Sequence, residues 1–83
     1  MPTMPQAMFL LVMRDNTIGL DWSDAINAAR AQGGSYRTVT ACLRRLWIVE
    51  RTGDHLLMLT YLGFRALEQA ENREFKRRIY ATR

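Results

Sequence analysis

Gly33-Gly34 restricts the fold of this chain more than any other feature, because it cuts one amphipathic stretch into two short helices with a tight bend between them. Before the pair, Asp21 can cap a helix whose core face is Trp22, Ala25, Ile26 and Ala29 at helical spacing. After it, Ser35 can cap another. Its buried stripe would be Val39, Leu43 and Leu46, with Tyr36 and Cys42 on the flanks and Arg37, Thr40, Ala41 and Arg44 on the opposite side. The spacing predicts helices over 21–33 and 35–47.

Thr3-Met4-Pro5-Gln6 is a capping box that opens a helix over 3–14. Apolar residues from Ala7 to Met13 circle this helix, so it should be buried on more than one side, with a second copy of the chain covering part of it. Asn16-Thr17 is a turn signal, and a short strand is expected over 17–20, with Ile18 and Leu20 facing one way. Ile48 to Arg51, the turn Thr52-Gly53-Asp54 and the return His55 to Thr60 predict a hairpin over 48–60. A last helix is expected over 61–80. Leu62, Ala66, Leu67 and Ala70 lie in its first half, and Phe75 and Ile79 form an apolar i, i+4 pair in its charged second half.

With 83 residues the chain is expected to form a single domain over 1–83. A domain this small buries only about 60–65% of its unfolded surface, so its stability is marginal without help. Cys42 is the one cysteine and His55 the one histidine, so neither an internal disulfide nor an ordinary zinc site can be assembled, and no cofactor is expected. Self-association is the remaining stabiliser, and Met8, Phe9, Val12, Phe75 and Ile79 are the expected homodimer contacts. The longest apolar run, Ala7 to Met13, is far short of the roughly 18–20 residues that span a bilayer. No basic residue precedes it, and Arg14-Asp15 stand where a leader would need small residues, so a cytoplasmic protein without membrane contact is expected.

The net charge of +4 is unevenly spread: residues 35–51 carry +3 and residues 76–83 carry +4, on a slightly acidic remainder. Two basic blocks on such a frame point to an anionic partner. Eleven of the twelve basic residues are arginine, whose planar fork suits phosphates and guanine edges.

Two helices joined by a tight glycine-containing turn form the helix-turn-helix pattern, and a hairpin directly after them makes a winged helix. The predicted class is therefore α+β and mostly helical: a three-helix core, a β-hairpin wing and a C-terminal helix. Thr38-Val39-Thr40-Ala41-Cys42-Leu43-Arg44-Arg45-Leu46 resembles the recognition helix of MarR-like and PadR-like winged-helix regulators. Ile48-Val49-Glu50-Arg51 resembles the start of their wing, and Leu57 to Leu67 is similar to their strand-then-helix pattern of Leu-Thr followed by Gly and Leu. The resemblance covers about residues 17–70 and departs in three places. Trp47 follows Leu46 directly, where the family has further residues ending in glycine. Gly53-Asp54-His55 replaces the family's arginine pair in the wing. The long dimerisation helices are missing or reduced to the first and last helices.

Catalysis needs an acid, base or nucleophile positioned by a partner. Cys42 and His55 lie on different elements, the carboxylates are scattered, and Gly33-Gly34 follows a helix rather than a strand, so the chain is not expected to be an enzyme. Trp22 and Trp47 are expected as core anchors. Two functions fit the frame. The first is sequence-specific binding of double-stranded DNA by a small transcriptional regulator or a phage or mobile-element accessory factor. Arg37, Thr40 and Arg44 would then face base edges, with Ser35, Tyr36, Arg45, Arg51 and His55 toward phosphates. The alternative is a winged helix that modulates a host protein complex without binding DNA. Salt dependence of DNA binding separates the two.

Overall fold

Polar side chains fix the helix starts. The computed structural model describes residues 1–81, with side-chain surroundings for 1–71 and 73. Thr3 and Gln6 form the reciprocal capping box that opens α1 (Met4–Asp15). Asp21 caps α2 (Trp22–Ala31) by accepting from the Asp24 N–H at 2.7 Å. Ser35 and Thr38 form a second reciprocal box at the start of α3 (Tyr36–Arg44). Strands β1 (Ile48–Glu50) and β2 (Leu57–Leu59) follow as an antiparallel hairpin in which Ile48 pairs with Leu59 and Glu50 with Leu57. The chain ends in α4 (Tyr61–Ala81), where the Thr60 hydroxyl accepts from the Gly63 N–H at 3.0 Å. The result is a small α+β domain of four helices and one hairpin among the described residues.

α1 is the hub. It packs on α2, α3, α4 and β2, which explains its apolar circumference within a single chain. Phe9, Leu10 and Met13 meet Ala25 and Ala29 of α2, Val39 and Cys42 of α3, Ile48 and Leu57 of the hairpin, and Leu67 of α4 in one buried cluster. Phe9 is fully buried inside the chain, so it cannot contact a second copy as expected; the apolar stretch was satisfied from within. Phe75 and Ile79 lie outside the described side chains. Trp47 is buried and Trp22 half-buried.

Two local expectations are corrected. No strand forms over 17–20. Gly19, at φ +108, turns the chain after its N–H bonds the Asn16 carbonyl at 2.9 Å, and only Leu20 bridges to Leu57. Ile18 is consequently 76% exposed at the turn rather than on a core face. The third helix ends at Arg44 instead of reaching 47. The Trp47 N–H bonds the Cys42 carbonyl at 2.9 Å and the Leu46 N–H bonds the Leu43 carbonyl at 3.0 Å, the bond pair of a Schellman terminus. Leu46 occupies the left-handed position of that motif, with φ +62, and is 61% exposed. The buried stripe of α3 is therefore Thr38, Val39 and Cys42, with Leu43 half-buried.

The same device locks the two halves of the domain together. The Thr60 hydroxyl donates to the Leu46 carbonyl, and the Thr60 N–H donates to the Trp47 carbonyl at 3.0 Å. Gly63 then passes so close to Trp47 that a β-carbon would stand 2.0 Å from its carbonyl oxygen. The Leu-Thr-x-x-Gly run in the sequence is thus a joint between the end of α3 and the start of α4.

Candidate nucleic-acid interface

Burial of Thr38, Val39 and Cys42 against the core forces the opposite side of α3 outward. Arg37 and Arg44 are exposed there and Thr40 is half-exposed between them. Seven residues separate the two arginines, two helical turns and about 10 Å along the axis. That is about three base-pair steps of a duplex. Among the described residues neither arginine is held in an ion pair, whereas Arg14 and Arg51 are. The Thr40 hydroxyl donates to the Arg37 carbonyl at 3.1 Å, which leaves its oxygen as an acceptor.

The N-terminal end of α3 is rigidly supported. The Ser35 hydroxyl oxygen accepts from the Arg37 N–H at 3.2 Å, and the Ser35 N–H donates to the Thr38 hydroxyl at 3.0 Å. Tyr36 is exposed, and its ring lies 6.2 Å from that of Trp22 at a tilt of 34°. The Trp22 indole N–H donates to a Glu50 carboxylate oxygen at 2.6 Å, which ties the start of α2 to the first wing strand. These contacts hold α2, α3 and the hairpin in one fixed arrangement.

The hairpin offers little positive charge. Arg51 is engaged by Asp54 through two of its nitrogens and reaches the Ile18 carbonyl at 3.4 Å, so it is not poised for a phosphate. The same guanidinium, with the Leu56 N–H, lowers the Asp54 carboxyl to about 2. His55 stands exposed at φ +59 with its Nδ1 3.9 Å from Glu50. Glu50 and Asp54 outweigh Arg51, so of these two elements it is α3 and not the hairpin that presents positive charge.

Arg45 also leaves the expected group. Its guanidinium carbon stands 5.3 Å over the Trp47 ring, and it lines a cleft with Arg65 of α4 rather than the Arg37–Arg44 face. The burial of Cys42 pushes its thiol up to about 12, against a smaller opposing pull from Arg45, which makes it an inert core group. Among the described residues no cluster of His, Cys, Asp or Glu is gathered to hold a metal, and no helix is long and apolar enough to cross a membrane.

Comparison of the chain with family models, with curated proteins and with solved structures returned no match.

Proposed function

We propose that this chain is a winged-helix protein that binds double-stranded DNA as a small regulator or accessory factor. α3 lies in the major groove, with Arg37, Thr40 and Arg44 toward base edges. Ser35 and Tyr36 at its N-terminal end meet phosphates and set the register. The observation that carries this reading is the exposed Arg37/Thr40/Arg44 face on the helix that follows a tight glycine turn and precedes a hairpin.

The protein acts as a homodimer in this reading. Met4 and Met8 remain exposed on α1, and with Leu11, Leu67 and Ala70 they line an apolar groove of about 470 Å³ between α1 and α4. α4 has 21 residues against 12 in α1, about 13 Å more helix, and that extra length gives a second copy a helix to pack on. Two recognition helices about 34 Å apart would demand a near-palindromic site.

Selection from a random double-stranded pool tests the function. Enrichment of a motif with half-sites about one helical turn apart is expected. A folded protein that enriches nothing at low salt contradicts it.

A further inference from the structure

The cleft between the end of α3 and the first turns of α4 plays no part in that reading. It is lined by Trp47, Leu62, Ala66 and Gln69 together with Arg45 and Arg65, and its volume is about 520 Å³. Both arginines are pre-positioned. Arg45 lies over Trp47, and Arg65 lies 6.0 Å from the Tyr61 ring centroid with a guanidinium N–H 3.5 Å from the Tyr61 hydroxyl. Among the described residues neither makes an ion pair, and Glu68, one turn along α4, acts on Arg65 only at longer range. Leu62 is 52% exposed beside them. An exposed leucine beside two unpaired guanidiniums asks for an occupant with carboxylates around an apolar side chain.

A nucleic acid fits this cleft poorly. Bases bind outside a duplex by stacking on open aromatic faces. Trp47 is only 9% exposed, with Arg45 already over its ring, and it is the one aromatic side chain that lines the cleft among the described residues. Phosphates alone would gain nothing from Leu62 and Ala66. The geometry points to a protein-docking cleft that takes an acidic segment of a partner protein, one leucine or phenylalanine packing on the exposed Leu62 beside the Arg45–Trp47 stack and flanking carboxylates pairing with Arg45 and Arg65. Because this cleft is separate from the Arg37–Arg44 face, a DNA-bound protein could recruit such a partner.

The probe is a short labelled peptide with leucine and phenylalanine between glutamates, read by fluorescence anisotropy. A companion peptide with serine in place of the apolar residues is the control. Relative to the unmodified protein, Arg45→Glu with Arg65→Glu should weaken the apolar peptide by about tenfold or more, and Arg30→Glu, at the far end of α2, by less than about twofold. The serine peptide should bind about tenfold more weakly than the apolar one. In nitrogen-proton spectra the peptide should move the Trp47 indole signal and not that of Trp22. Arg65→Glu alone gives the same test if the double variant does not fold. Equal binding by the reversed variant, or equal binding of the two peptides, overturns the proposal. So does an absence of peptide binding, including the case in which a single-stranded oligonucleotide binds in an Arg45- and Arg65-dependent way. Arg37→Ala should leave peptide binding unchanged, so loss of DNA binding and loss of peptide binding are separable.

Discussion

Leu46 holds a backbone conformation that an L side chain adopts at a cost, because its β-carbon crowds the following carbonyl. Its side chain is largely exposed and returns little packing in exchange. Replacement by glycine keeps both hydrogen bonds of the helix terminus and removes the strain. Leu46→Gly is therefore expected to stabilise the protein by about 1 kcal/mol, raising its thermal midpoint by roughly 4–8 °C. A lower midpoint would show that the Leu46 side chain has a packing role missing from this picture. The opposite holds at Gly63, where a β-carbon would collide with the Trp47 carbonyl and a Leu59 methyl group. Gly63→Ala is expected to cost about 1–3 kcal/mol, a fall in midpoint of roughly 4–24 °C, as forced overpacking does. Midpoints within a degree or two of the parent would mean that α4 does not approach Trp47 this closely.

At the scale of elements, the order of helices and hairpin was legible because helix boundaries carry local chemistry: Thr3 with Gln6, Asp21 and Ser35 mark helix starts by side chains that bond nearby backbone, and Gly33, at φ +82, marks the turn after α2. The end of α3 was not legible. A glycine is the usual signal at the left-handed position, and a leucine there looks like one more stripe residue. The Arg37–Arg44 face survived that error, since it depends on the start of α3 and not on its end. Arg45 and Arg51 were misplaced because sequence shows charge but not pairing; Asp54 and Trp47 decide where those guanidiniums rest. The wing's ion pair also makes a pH prediction. The Asp54 carboxyl is lowered in the folded state from 3.8 to about 2, chiefly by its hydrogen bond from Arg51. Its stabilising effect is then complete above pH 3.8 and lost as pH falls through about 2. A side-chain carbon titration should give Asp54 a midpoint well below 3.8, and Arg51→Ala should raise it toward that value. A midpoint for Asp54 that ignores Arg51→Ala would contradict the pairing.

At the scale of the molecule, α1 uses most of its apolar surface inside the chain, so a dimer depends on the strip left by Met4 and Met8 and on α4. Light scattering at high micromolar concentration should report a dimer, and Met8→Glu should yield a folded monomer. A monomeric parent protein would remove the reason to expect a palindromic site. In the proposed function α3 reads DNA through one arginine face, while Arg45 and the hairpin's Arg51 do not supply that charge. That division is tested most directly by measuring the affinity of the selected duplex for the parent, Arg37→Ala, Arg44→Ala and Arg51→Ala proteins across a salt series. Arg37→Ala and Arg44→Ala should each cost about 1–3 kcal/mol on the selected site. Arg51→Ala should leave both affinity and salt slope within error of the parent. Full affinity in the folded Arg37→Ala and Arg44→Ala proteins, or a loss confined to Arg51→Ala, would contradict the assignment of α3 as the DNA-reading element.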